Sequence, residues 1–275
     1  MLELLESTHI GPYLLTRELE PCAIAERHLA LHETDHTSHV AYRFGSPARS
    51  AARRRLESAV AACRALPHDH LLAIEDVVRT DDDLWVIGPF TGDVDGVRTV
   101  GKLLREKRGQ MDPFEAARAL EQVLETIAFA HPRIVHGPIT MEEILVDRHG
   151  CLLLEFYGLR RDWRKDALTT EAEDMRDEVR SVVEIGYQLI TGLRAEEPMI
   201  PAGRLVRDLD PALDRWLSKG LCPTGGFASA AQALAELPSR LAGAHAEAEE
   251  PPRWSPWGSI GGVRTLLGRL RAIRG

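Results

Sequence analysis

The segment from residue 134 to residue 150, IVHGPITMEEILVDRHG, has the residue types of a loop that presents side chains for chemistry. A histidine-glycine pair follows two apolar residues, and an apolar Ile-Leu-Val run then closes on Asp147. This order predicts a tight loop between a helix and a strand. The loop interior contains Pro138, Thr140 and Glu143, of which only Glu143 has a carboxylate that could hold a cation.

Alternating apolar residues on the N-terminal side of this loop predict an antiparallel sheet. Strands are expected over residues 10–19, 25–33, 37–44, 71–80 and 83–90. Between the third and fourth of these strands, apolar residues recur at helical spacing over residues 50–66, and Pro67 ends that helix. The N-terminal part is therefore predicted to be a small sheet with one helix.

Long helices dominate the rest of the chain, and they are expected over residues 113–131, 178–193, 211–221 and 229–243. The predicted fold class is α+β with two lobes, an N-terminal antiparallel sheet plus one helix and a C-terminal helical lobe. We expect the first lobe over residues 1–92 and the second over residues 93–243. Residues 244–275 are expected to form a linker containing Trp and Pro, followed by a short cationic amphipathic helix.

Composition excludes several classes of protein. The chain has 275 residues with 44% apolar content, enough to bury a large core. Its net charge of −8 disfavours nucleic-acid binding. We expect a cytoplasmic protein, since the sequence has neither a signal-peptide pattern nor an apolar run long enough to span a bilayer. Four scattered cysteines without a Cys-x-x-Cys pair predict reduced thiols and no structural zinc.

Several segments, in the right order and with the right gaps, resemble those of bacterial eukaryotic-like Ser/Thr protein kinase domains. HVAYRF resembles the strand with the V-A-x-K signature, and LWVIGPF resembles the strand leading to the hinge. IVHGPITMEEILVD stands where that family has its catalytic loop, and LLLEFYGLRR stands where it has the D-F-G region. The resemblance spans about residues 10–240 and implies a two-lobed kinase-like fold.

The resemblance also assigns the catalytic positions. Pro138 stands at the Asp that accepts the substrate proton, Thr140 at the phosphate-contacting Lys, and Glu143 at the metal-binding Asn. Phe156 stands at the Asp of D-F-G, and Glu155, one residue earlier on a strand, is expected to point to the opposite face. Proline has no side-chain acceptor, so the general base would be missing.

The nucleotide-binding positions are altered in the same way. The three positions of the glycine-rich loop are taken by Glu20, Cys22 and Ala25, and Arg43 stands at the phosphate-holding Lys. The hinge residues that would contact a base are Pro89 and Phe90.

These assignments predict a protein that is not an enzyme: a catalytically inactive kinase-like scaffold, adaptor or allosteric subunit without cofactor or metal. One alternative is a nucleotide sensor that binds ATP without transfer. Another is a divergent Ser/Thr protein kinase.

Two regions are candidates for partner binding, which we expect to involve protein. Arg53, Arg54 and Arg55 lie in the N-lobe helix, which is a common docking surface in kinases. The C-terminal tail offers an alternative, with docking on protein favoured over peripheral contact with a membrane. The tail residues predicted to take part are Trp254, Trp257, Leu266, Leu267 and Leu270. His28, His32, His36 and His39 could form a metal site, but an exposed His-rich hairpin is favoured.

Overall fold

A computed structural model describes residues 8–45, 50–159, 161 and 170–238. Its N-terminal part is a six-stranded antiparallel sheet in the order β1-β2-β3-β4-β6-β5. The strands are β1 (His9–Ile10), β2 (Tyr13–Leu19), β3 (Glu26–His32), β4 (Ser38–Gly45), β5 (Asp76–Arg79) and β6 (Asp83–Pro89). The predicted antiparallel sheet is therefore present, with β3 and β4 joined as a hairpin.

The N-lobe helix α1 (Ala51–Arg64) covers one face of this sheet. The hydroxyl of Ser50 caps its first turn by accepting from the N–H of Arg53. Leu56 and Val60 are buried and belong to the same apolar cluster as Tyr42 on β4. Packing against α1 thus fixes which face of β4 points inward.

The C-terminal part is helical, with one two-stranded sheet. It contains α2 (Val100–Glu106), α3 (Pro113–Ala130), β7 (Ile144–Val146), β8 (Leu152–Leu154), α4 (Glu171–Thr191), α5 (Ala202–Leu205), α6 (Pro211–Gly220) and α7 (Ala230–Glu236). Helices α3 and α4 form the centre of its core. This arrangement confirms the predicted fold class, an antiparallel sheet lobe followed by a helical lobe.

Four helices differ from the sequence prediction. Helix α5 was not predicted, and helix α7 ends at Glu236 rather than at residue 243. The other two are α4 and α2. Helix α4 begins at Glu171, because Thr170 and Glu173 form a capping box that starts the helix before its apolar stripe begins. Helix α2 was not predicted. It has only seven residues, too few to show a clear helical period, and Thr99 caps it by accepting from the N–H of Lys102.

The strand predicted over residues 71–80 is shortened to β5. Its first part instead bonds to the other lobe, since the N–H of Leu72 donates to the carbonyl of Leu154 at 3.0 Å. The N–H of Leu154 in turn donates to the carbonyl of His70 at 2.9 Å. A backbone connection therefore holds β8 against the N-terminal sheet.

One apolar cluster extends across both lobes. It includes Leu19 and Val40 from the sheet, Val97 from the connection between the lobes, and Leu145 and Phe156 from the helical lobe. All five side chains are buried, so apolar packing joins the two lobes at this point. Among the described residues, no helix is both long and apolar enough to cross a membrane.

Candidate functional site

A buried carboxylate from α4 braces the loop between α3 and β7. Glu178 is 0% exposed, and its Oε2 accepts from the backbone N–H groups of His136 (3.1 Å) and Gly137 (3.2 Å). Its Oε1 accepts from the hydroxyl of Tyr157. One side chain thereby ties the loop to the segment after β8.

Glu143 is buried at the end of this loop. Its Oε2 accepts from both the N–H (2.9 Å) and the hydroxyl (2.8 Å) of Thr140, and its Oε1 lies 3.6 Å from Nε2 of His136. Burial opposes ionisation of this carboxyl, but the neighbouring His136 ring and the two hydrogen bonds from Thr140 outweigh it and hold its pKa at about 2. Glu143 is therefore a fixed, ionised acid at neutral pH.

Glu155 lies beside Glu143 and is also buried, with 4% of its surface exposed. The N–H of Glu155 donates to the carbonyl of Glu143 at 2.9 Å. Burial raises the pKa of Glu155, as does the charge of Glu143, while the guanidinium of Arg27 opposes the rise. The prediction that Glu155 points away from the site is wrong. The chain leaves β8 in a turn directly after Leu154, so strand alternation no longer applies there.

Arg27 on β3 is the cation that reaches Glu155, and sequence reasoning missed it. Its Nε donates to Oε1 of Glu155 at 3.0 Å, and its Nη2 donates to Oε2. Arg27 is only 3% exposed, and its third contact is from Nη1 to the carbonyl of Glu20 at 3.2 Å. The pair joins the two lobes. Directly opposite Arg27 on β4 stands Tyr42, so both side chains share one face of the sheet.

Arg43 does not lie in this site, which corrects its assignment to the phosphate-holding position. Its side chain is 42% exposed and forms ion pairs with Glu26 (3.2 Å) and Asp83 (3.0 Å) on the outer face of the sheet. The inward position on β4 belongs to Tyr42, one residue earlier. Both Val40 and Ala41 are buried, so alternation alone could not tell which face of β4 points inward.

Phe156 serves packing rather than metal binding. Its ring meets Tyr42 edge-on at a centroid distance of 4.5 Å and Phe44 at 5.7 Å. It has a positive φ of 48°, which turns the chain so that Glu155 faces the cleft and Phe156 enters the interlobe cluster. The acid of this region is therefore Glu155, not the residue that sequence alignment placed there.

The other predicted catalytic positions lie on the loop surface. Pro138 is exposed and offers no side-chain acceptor. Thr140 is exposed overall, yet its hydroxyl donates a hydrogen bond to the buried carboxylate of Glu143. The structure thus places Thr140 and Glu143 together and leaves Pro138 at the rim.

The remaining nucleotide positions are dispersed around the cleft. Cys22 is half-buried, and burial together with the charge of Glu155 raises its thiol pKa to about 11. Ala25 is buried in the interlobe cluster, and Phe90 packs against that cluster. Pro89 ends β6, opposite His39 on β4.

The predicted partner residues lie in helix α1 and in the C-terminal tail. Arg53 is 4% exposed and its Nε lies 3.4 Å from Oε1 of Glu57, so it belongs to the packed side of α1. Arg54 and Arg55 are exposed. The tail residues lie outside the described part of the chain, namely Trp254, Trp257, Leu266, Leu267 and Leu270.

The histidine-rich hairpin has ordinary packing partners. His32 and His39 pack edge-on against Tyr13, and Nδ1 of His39 lies 2.7 Å from Oε2 of Glu75. His28 packs against Trp85. Across the described residues, no group of three or more His, Cys, Asp or Glu side chains is placed to hold a metal ion.

The fold is that of a protein-kinase-like domain. No protein-family model matches the chain. The crystal structure of the Mycobacterium tuberculosis PknI kinase domain is similar to it with a TM-score of 0.66 at 17% identity, over 87% of this chain and 99% of that domain. A second crystal structure of that kinase domain gives a TM-score of 0.63 over 86% of this chain and 98% of that one.

Sequence relatives are protein kinases by name. The carbon catabolite-derepressing protein kinase of Saccharomyces cerevisiae is 26% identical over 160 residues, which are 57% of this chain and 24% of the yeast protein. The serine/threonine-protein kinase PrkC of Bacillus subtilis is 28% identical over 110 residues, covering 38% of this chain and 16% of that protein. The chain thus spans about a quarter or less of the length of these two relatives.

These relatives overturn the functional prediction made from the sequence. We expected a catalytically inactive scaffold, or a nucleotide sensor, and not an enzyme. The similar proteins are named protein kinases and point to an enzyme instead. The prediction rested on altered residues at aligned positions, and the structure shows that two of those alignments, at Arg43 and at Phe156, selected the wrong side chain.

Proposed function

We propose that this chain is a kinase domain that transfers the terminal phosphoryl group of a nucleoside triphosphate to a hydroxyl group of a protein. The observation that carries the proposal is a pair of buried acids: Glu143, on the loop braced by Glu178, and Glu155, whose backbone N–H donates to the carbonyl of Glu143. Phosphoryl transfer requires this kind of charge placement and little covalent chemistry. The names of the relatives and the fold support the same reaction class.

The charges of the site suit a divalent cation with hard oxygen ligands. Glu155 pairs with the guanidinium of Arg27, and Glu143 adds a second buried carboxylate beside Glu155, so these three side chains together carry an excess of one negative charge. Magnesium in phosphoryl-transfer sites is held by one or two carboxylates together with the substrate phosphates. Glu143 and Glu155 would hold it, and the ion would neutralise charge on the phosphates during transfer.

Each residue of the candidate site has a distinct role in this proposal. Glu178 fixes the backbone of the loop at His136 and Gly137, and Thr140 fixes the carboxylate of Glu143. Pro138 supplies no proton acceptor, so the proton of the attacking hydroxyl would pass to an oxygen of the transferred phosphoryl group as the bond to the departing nucleoside diphosphate breaks. Transfer then depends on positioning and charge stabilisation, which dominate in a loose transition state.

The test is phosphate transfer from radiolabelled ATP to the protein itself and to a generic protein substrate, with Mg²⁺ or Mn²⁺. The wild-type protein should transfer phosphate. Glu155→Gln should reduce the rate by at least about a hundredfold, the usual effect of losing a preorganised charge. Glu142→Gln is the matched control, because Glu142 is the exposed neighbour of Glu143 and pairs with Arg105 at the surface. It should stay within a few-fold of wild type. Wild-type transfer no greater than that of Glu155→Gln would overturn the proposal.

We further propose that the protein works in the cytoplasm. Cys22, Cys63, Cys151 and Cys222 are not joined in disulfides, as suits a reducing compartment. Alkylation of unreduced protein in fresh cell extract, followed by mass spectrometry, should label all four. A disulfide found in that extract would argue against this location.

We also propose that the kinase domain is regulated by a protein partner that contacts Arg54 and Arg55 or the tail at residues 251–275. The exposure of both arginines supports a contact on α1. Affinity purification from the native cell should recover a partner with the full chain. Loss of that partner on deleting residues 251–275 would assign the contact to the tail, and loss with Arg54→Glu/Arg55→Glu would assign it to α1. Recovery of the same proteins by both variants would exclude these two surfaces.

A further inference from the structure

Arg27 is the cation that the interlobe site contains, although it lies on a different strand from the one the family pattern predicts. In the V-A-x-K pattern a lysine on the strand equivalent to β4 holds the nucleotide phosphates. Here the inward position of that strand is Tyr42, and its hydroxyl is a far weaker source of positive charge than an ammonium. Arg27 faces Tyr42 across the β3–β4 pairing.

The direction of the guanidinium is set by three contacts. Two of its nitrogens donate to the two oxygens of Glu155, and the third donates to the carbonyl of Glu20. Its Cζ lies 5.9 Å from the ring centre of Tyr42, so the aromatic ring forms one wall beside the charge. Glu20 belongs to the loop between β2 and β3, the segment that covers the phosphates in the related fold.

We propose that Arg27 binds the nucleotide phosphates, and that it does so by leaving Glu155 when a divalent cation takes that carboxylate. This inference rests on the proposed function, since it names a binding residue of the same site. The ion pair is the resting arrangement of two groups that exchange partners: the carboxylate passes to the cation, and the guanidinium passes to the phosphates.

The energetics of a buried pair make this exchange cooperative. Separating Arg27 from Glu155 leaves two uncompensated charges, each 4% exposed or less. A nucleotide alone would leave Glu155 next to phosphate, and a cation alone would leave Arg27 next to a dication. Only the two together give both groups an opposite charge. The chain should therefore bind nucleotide and cation with strong positive coupling, each raising the affinity for the other by the same factor.

The test is equilibrium binding of a non-hydrolysable ATP analogue by calorimetry, with and without Mg²⁺. Wild type should bind the analogue much more tightly with Mg²⁺. Arg27→Met should weaken Mg²⁺-dependent binding by roughly ten- to hundredfold, the usual effect of losing charge-assisted hydrogen bonds. Arg27→Lys keeps the positive charge but not the planar guanidinium, so its affinity for the analogue should lie between those of wild type and Arg27→Met. Arg43→Met is the matched control, because Arg43 is a neighbouring sheet arginine on the outer face, and it should bind like wild type.

Glu155→Gln gives the second and sharper outcome. Without its carboxylate partner Arg27 is released, so this variant should bind the analogue without Mg²⁺ more tightly than wild type does, and Mg²⁺ should add little. If Arg27→Met fails to fold because Glu155 is left unpaired, the comparison is made between Glu155→Gln and the double variant Arg27→Met/Glu155→Gln. The double variant should lose the Mg²⁺-independent binding.

Failure of this inference is distinct from failure of the proposed function. Equal binding by wild type and Arg27→Met, or weakened binding by Arg43→Met alone, would overturn the role of Arg27 even if phosphate transfer is observed. A Glu155→Gln variant that needs Mg²⁺ as much as wild type would overturn the exchange. Absence of transfer in wild type would leave the binding result intact, because the analogue is never cleaved.

Discussion

Nδ1 of His136 accepts a hydrogen bond from the backbone N–H of Gly158 at 2.9 Å, and Nε2 of the same ring lies 3.6 Å from Oε1 of Glu143. A backbone N–H can only donate, so Nδ1 must be the unprotonated nitrogen and Nε2 carries the hydrogen. His136 therefore presents a donor to Glu143. The ring also stacks on Tyr157, which keeps this orientation.

The roles of the two ring nitrogens of His136 can be tested separately by mutation. His136→Asn keeps an acceptor near Gly158 but loses the donor toward Glu143, while His136→Gln keeps a donor near the Nε2 position. The pKa of Glu143, about 2 in the wild-type chain, should stay low in His136→Gln and rise toward 4.5 in His136→Asn. A ¹³C-carboxyl NMR titration measures this pKa, and phosphate transfer should fall further in His136→Asn than in His136→Gln. A higher Glu143 pKa in His136→Gln than in His136→Asn would contradict this orientation of the ring.

Gly158 is required by both its backbone conformation and its surroundings. Its φ is +83°, and a Cβ atom there would lie 2.3 Å from Cδ1 of Ile134. Gly158→Ala should lower the free energy of unfolding by roughly 2–5 kcal/mol, from the left-handed conformation and from overpacking. Gly45→Ala is the control, since a Cβ atom at Gly45 would meet nothing within 4 Å. Urea denaturation monitored by circular dichroism compares the two, and equal stabilities would contradict the prediction.

The order of the strands and helices was predictable because hydrophobic period and turn residues are local properties. The orientation of individual side chains at the site was not. Strand β4 is buried on both faces, so a one-residue error separated Arg43 from Tyr42 without disturbing the pattern. A usable signal did exist. Pairing the strands predicted on either side of the turn at residues 34–37 places position 27 on the same face as position 42, so Arg27 could have been identified.

Glu155 and Glu178 show a second limit of prediction from sequence. The role of Glu155 depends on a turn that starts directly after β8, and the sequence offered only a strand pattern there. The role of Glu178 depends on the packing of α4 against a loop 41 residues earlier in the sequence. Long-range packing of this kind is set by the whole core, so local pattern alone cannot specify it.

The low pKa of Glu143 predicts a specific acid sensitivity. Its folded-state pKa of about 2 lies below the ordinary value of 4.5, so ionised Glu143 stabilises the fold above about pH 4.5 and loses this effect as the pH falls toward 2. The contribution is roughly 3 kcal/mol at neutral pH, from about 1.4 kcal/mol for each pH unit of difference. Glu143→Gln should therefore be less stable than wild type at pH 7, with the difference shrinking steadily as the pH falls from about 4.5 toward 2. Urea unfolding at several pH values measures this, with Glu142→Gln as the exposed control, whose curve should run parallel to that of wild type. Parallel curves for Glu143→Gln and wild type would show that Glu143 is not held ionised by His136 and Thr140.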